Sequence, residues 1–163
     1  MSVREVSYIT PAGFKRLSDE YHYLRHQERP RVVEEVSRAA AMGDRSENAE
    51  YIYGKRRLRE IDSRLGFLDR RMEALQPVDP AQIKSKDVGF GATVKLEYED
   101  GKIVTYHIVG EDEVDVPRNR ISYKSPVGKA LLRKREGDEA VIHRPAGPVE
   151  VTILELRYMA LDP

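Results

Sequence analysis

Leu58, Ile61, Leu65, Leu68, Met72 and Leu75 recur at steps of three and four, an apolar seam that a lone helix cannot bury. A partner helix is therefore required, and the preceding stretch supplies one. Thr10 followed by Pro11 reads as an N-cap and first helical position, and Phe14, Leu17, Tyr21 and Leu24 continue at helical spacing. Pro30 lacks an amide hydrogen and crowds the turn before it, so a kink or local unwinding is expected around Glu28 to Arg31. The seam resumes at Val33, Val36 and Ala40. Only the short "MGDRSEN" separates the two stretches, which predicts an antiparallel coiled-coil hairpin. Roughly thirty residues per arm at 1.5 Å each make a finger on the order of 45 Å long.

After Pro77 and Pro80 the period changes to two. Ala92, Val94, Leu96 and Tyr98 alternate with polar residues, "EDGK" provides an Asp-Gly turn, and Ile103 to Val109 returns as the second strand of a hairpin. A short helix opens at Ser125 and Pro126 and runs through "SPVGKALLRK", and strands follow around Ala140 to His143 and Val149 to Tyr158. The expected fold is α+β, with a coiled-coil finger over residues 1–79 and a mostly antiparallel sheet carrying one helix over 80–163.

With no cysteine, thiolate metal sites, disulfides and cysteine nucleophiles are excluded. No run reaches the ~20 apolar residues of a membrane span, and the first residues lack the apolar centre of a secretory signal, so no membrane partner and a cytoplasmic location are expected. The 28 basic and 28 acidic residues balance, which argues against coating nucleic acid through overall charge. Locally the charges separate. Lys55, Arg56, Arg57, Arg59, Arg64, Arg70 and Arg71 outweigh Glu60, Asp62 and Asp69 along the second arm, whereas Asp44, Glu47 and Glu50 crowd the turn.

Spacing gives the tip carboxylates two readings. Asp44 with Glu47 three residues on fits a capping box, the commoner case. The sharper reading is that the pair shares a hard divalent cation such as Mg²⁺, though two oxygen donors make no tight cage and a partner must complete the set. The arginines divide too. Arg57, Arg64 and Arg71 fall seven apart on one flank of the seam, where charges usually pair with the facing helix, while Arg56, Arg59 and Arg70 point away and suit an RNA backbone. His22 and His26 lie one turn apart without a third ligand, and no phosphate loop or nucleophile elbow appears.

"GDRSENAEY" at 43–51 and "KRRLREID" at 55–62 resemble the tip and second helix of the bacterial Gre transcript cleavage factors, closer to the GreB branch. "FGATV", "IVGEDE", "SPVGKALL" and "EGDEAVI" are similar to that family's second domain, so the resemblance spans essentially the whole chain. It implies an FKBP-like second domain that docks on the rim of the RNA polymerase secondary channel, and a finger that enters the channel. Asp44 and Glu47 then match the acidic pair that helps the polymerase retain a second Mg²⁺, with no tight site in the isolated protein. Arg56, Arg57, Arg59 and Arg70 would hold the extruded 3′ end of the nascent RNA, and Asn48 and Tyr51 would orient the tip. Ser125 and Pro126 match the polymerase contact. Lys124 departs from the pattern, where Asp or Asn is frequent. The implied role is an accessory factor, monomeric when free, that stimulates RNA cleavage by the polymerase. The alternatives are a channel-binding regulator without cleavage and an FKBP-like prolyl isomerase or chaperone.

Overall fold

The computed structural model describes residues 6–43 and 48–162, which fall into two compact units. One is the helical hairpin Lys15–Ala74, and the other gathers the described residues up to Phe14 with those from Leu75 onward. Strand β1 (Ser7–Ile9) pairs in parallel with β2 (Leu75–Pro77), Ser7 opposite Leu75. This pairing is why residues 6–14 and 75–79, assigned to the finger by periodicity, group with the sheet-bearing unit. It also takes Leu75 out of the helical seam: the side chain is buried, but in a strand.

The hairpin comprises the run from α1 (Pro11–Tyr23) through a π-helical turn (Leu24–Glu28) into α2 (Arg29–Ala41), and the returning α3 (Ala49–Ala74). Leu24, Val32, Ile61 and Leu68 form its buried centre, flanked by Leu17, Tyr21, Val36, Leu58, Leu65 and Met72. Each fully buried aliphatic contributes about 1.5–3 kcal/mol. The disturbance caused by Pro30 lies one turn earlier than expected. The Pro30 ring crowds the carbonyl four residues back, and the preceding turn widens: the Arg29 N–H bonds Leu24 O, five residues behind it. α2 then continues through Pro30, which sits in its first turn.

The extra residue of the π-turn resets the phase. Unbroken α-helical steps from Leu24 would turn Arg31 and Glu35 toward α3. Instead Val32 and Ala39 are each 2% exposed while Val33 is 39% exposed, so the seam runs through Val32, Val36 and Ala39 rather than the expected Val33, Val36 and Ala40.

The same phase buries a carboxylate, Glu28. It accepts from Arg31 at 2.8 Å and from the Tyr23 hydroxyl at 3.3 Å, and Arg57 Nε of α3 stands 3.6 Å away. The hydrogen bond from Arg31 holds the Glu28 pKa below its ordinary 4.5, against the opposing effect of burial. A lowered native pKa adds stability that is complete above the unfolded value and is lost as pH falls through the native one. Comparing wild type with Glu28→Gln by thermal unfolding across pH tests this. The wild-type advantage is expected at neutral pH and should shrink steadily below about pH 4.5; a pH-independent difference would show that charge is not the cause.

In the other unit a five-stranded sheet has the order β5–β4–β3–β7–β6. β3 (Ala92–Tyr98) and β4 (Ile103–Val109) make the expected hairpin, turning at Gly101 with φ +86° and with the Lys102 N–H on Asp100 Oδ1 at 2.9 Å. β7 (Val149–Tyr158) pairs antiparallel with β3 and with β6 (Glu139–Ile142). The sequence pattern missed β5 (Arg120–Ser122), which adds parallel to β4 and makes the sheet mixed. Three residues are too few to show an alternation. Val94, Leu96, Ile108, Ile142, Val151 and Ile153 form the core, closed by Leu131 of the short helix α4 (Pro126–Leu131).

A buried carboxylate also fastens the start of α1. Glu113 accepts the Thr10 N–H and the Gly110 N–H, each at 3.0 Å, and the Thr10 hydroxyl donates to it. Thr10 in turn caps α1 as expected, its Oγ accepting the Gly13 N–H at 3.1 Å. A Cβ at Gly13 would stand 2.2 Å from Glu113 Oε1, so only glycine fits beside this cluster.

Candidate functional site

The hairpin turn is closed by one side chain. Asn48 Nδ2 donates to Ala39 O near the end of α2 at 2.8 Å, and its Oδ1 accepts the Tyr51 N–H at 3.1 Å. Its own carbonyl takes the first helical bond of α3, from Ile52 N–H at 3.0 Å. Asn48 is thus the N-cap of α3 and ties the two arms together before the turn begins. Gly43 leaves α2 with φ +137°, a conformation L side chains rarely adopt.

The helix starts at Ala49, with Asn48 as its cap and Tyr51 as the third position. Asp44 and Glu47 themselves lie outside the described residues. Asn48 and Tyr51 are half-buried next to them in sequence.

Along α3 the arginines separate into two groups. Arg64 grips Glu20 across the hairpin, with Nε 3.1 Å and Nη2 2.8 Å from the carboxylate, and Arg29 reaches Asp62 at 2.7 Å. Arg57, proposed from the resemblance as an RNA contact, stands between Glu28 at 3.6 Å and Glu60 at 3.4 Å. Its charge is already engaged in the hairpin. Arg56, Arg59 and Arg70 are exposed, and among the described residues none of them forms an ion pair. The flank-and-face division read from heptad spacing is therefore seen for Arg57 and Arg64 on one side and Arg56, Arg59 and Arg70 on the other.

In the sheet-bearing unit Ser125 is the N-cap of α4, its Oγ accepting the Gly128 N–H at 3.1 Å, and the exposed Pro126 opens the helix. Lys124, the departure from the family pattern, reaches Glu111 with Nζ 2.6 Å from Oε1 and lies 5.7 Å from the centre of the Tyr123 ring. Sequence inspection could not have paired Lys124 with Glu111, because they sit on separate loops.

The remaining candidates stay minor. His22 and His26 stack with ring centres 5.8 Å apart, and among the described residues no group of three or more His, Asp or Glu could hold a metal ion. His107 Nδ1 lies 2.9 Å from the Thr93 hydroxyl, and burial, with Arg120 and Arg118 nearby, pushes its pKa below the usual histidine range. Among the described residues no helix is long and apolar enough to cross a membrane.

Residues 7–76 match the family model described as transcription elongation factor, N-terminal, and residues 83–158 match transcription elongation factor, GreA/GreB, C-term. The chain is 49% identical over 163 residues to transcription elongation factor GreB of Neisseria meningitidis serogroup B, covering 99% of this chain and 100% of the relative. It is 50% identical over 150 residues to GreB of Pseudomonas aeruginosa, covering 92% and 89%. Among solved structures, transcription elongation factor GreA/GreB from Nitrosomonas europaea is 23% identical with a TM-score of 0.40, covering 93% of this chain and 99% of that one. With both halves matched and full-length relatives at about half identity, the chain belongs to the GreA/GreB family and to its GreB branch.

Proposed function

We propose that this protein is a transcription elongation factor that enters the secondary channel of bacterial RNA polymerase and stimulates hydrolysis of the extruded 3′ RNA in backtracked complexes. It is an accessory factor: the polymerase supplies the catalytic centre. The observation that carries this reading is the tip. Asn48 caps the start of α3, a task that spacing had offered to Asp44 with Glu47. Their position in "GDRSENAEY", matching that of the family's acidic pair, then calls for another purpose.

Hard oxygen donors suit Mg²⁺, and two of them need the remaining ligands from a partner. A divalent ion held jointly with the polymerase would lower the pKa of its bound water and offset charge on the scissile phosphate. Asp44 and Glu47 supply the charge that retains it. Asn48 fixes the ends of the turn, Tyr51 supports it, and the exposed cations Arg56, Arg59 and Arg70 attract the RNA strand, whereas Arg57 serves mainly to hold the hairpin. Ser125 and Pro126 contact the polymerase rim beside Lys124, whose charge Glu111 partly offsets.

The test is addition of the purified protein to a stalled, backtracked elongation complex with Mg²⁺. Release of short 3′ RNA fragments and resumed elongation are expected. Polymerase binding without fragments would instead assign a channel-binding regulator.

A further inference from the structure

The face of α3 turned away from the seam carries apolar side chains that packing leaves unburied. Tyr53 is 70% exposed, Ile52 52% and Phe67 42%. At 3.6 residues per turn they share roughly a third of the helix circumference with Arg56, Arg59 and Arg70. The acidic member of that sector, Glu60, is engaged by Arg57 at 3.4 Å. Aromatic surface and cations that form no ion pair among the described residues are therefore interleaved along one stripe, whose aromatic nearest the turn is Tyr53.

Resting on the reading above that RNA is led along this hairpin, we propose that Tyr53 is a stacking platform for a base of the extruded single strand, beside Arg56 and Arg59 on its phosphates. The chemistry favours a nucleic acid strand over a protein wall. Exposed positive charge suits a polyanion, and an exposed ring suits bases, each of which offers a π-face whatever its identity. Arg56 lies ~4.5 Å further along the axis, within reach of the backbone of a nucleotide stacked on Tyr53. The proposal adds a contact to the base itself, which the arginines do not provide.

The experiment places 2-aminopurine in the extruded RNA of a backtracked complex and adds protein carrying Glu47→Gln, so that the RNA stays whole. Binding should quench the fluorescence; Tyr53→Ala in the same background should abolish the quenching and Tyr53→Trp should retain it. In parallel, with Glu47 intact, Tyr53→Ala should slow cleavage of normal RNA roughly ten-fold. The same substitution should have no effect when the stacked nucleotide is abasic. Quenching that is absent with Tyr53 present, or unchanged by its loss, overturns the proposal. So does an equal loss of cleavage on normal and abasic RNA, which would place Tyr53 against the polymerase wall. Should the wild type leave RNA uncut while Tyr53-dependent quenching persists, the cleavage reading falls and the stacking contact stands.

Discussion

Asp44→Asn and Glu47→Gln should each lower stimulated RNA cleavage by roughly a hundred-fold or more, the scale at which removal of one preorganised electrostatic group usually tells. Both substitutions keep shape and remove one negative charge. Because Asn48 caps α3 and ties it to α2, the hairpin should keep its stability and the protein its hold on polymerase. A second signature separates a metal role from a purely steric one. Raising Mg²⁺ should restore part of the activity of either single variant, since a weakened ligand set is offset by mass action. The measurement is fragment release from backtracked complexes over a Mg²⁺ series, with competition binding in parallel. Loss of binding equal to the loss of cleavage would point to misfolding or docking, and unchanged cleavage would remove these carboxylates from the chemistry.

Glu113→Ala should destabilise the sheet-bearing unit by about 3 kcal/mol, because two buried N–H donors and a hydroxyl lose a charged acceptor at once. Thr10 N–H and Gly110 N–H have Glu113 Oε2 as their partner, at 3.0 Å each. Glu113→Gln can set its amide oxygen at the Oε2 position, where it still accepts both N–H groups, so partial rescue is expected. Denaturant unfolding followed with a probe in each unit checks this. A loss confined to the hairpin, or a change below ~0.5 kcal/mol, would show that the cluster is not the anchor it resembles.

What could be read from sequence follows from the range of each signal. The seam from Leu58 to Met72 is local and periodic, and it appears as expected. The strand pair around Asp100–Gly101 was equally plain, because turn chemistry and alternation agree there. Signals that depend on residues far apart were invisible: Glu113 meets Thr10, Lys124 meets Glu111, and β1 meets β2 only after folding. The phase error at Val33 has a third cause. Pro30 announced a disturbance, but whether the helix loses or gains a residue there depends on which side chains α3 will accept. Val32 in place of Arg31 decided it. At the tip, spacing offered Asp44 as the cap, and an asparagine four residues later took the position because it can both donate to α2 and accept from α3. Tyr53 was not singled out from sequence, and only its exposure made it a candidate.

The Asn48 clasp uncouples what the turn says from how the arms are held. With both ends pinned outside it, the intervening segment is free to diverge without unzipping the hairpin beneath, much as a tool bit is swapped in a fixed chuck. Chains sharing this scaffold could accordingly carry tips that provoke hydrolysis or tips that merely obstruct, at almost no thermodynamic penalty to the framework.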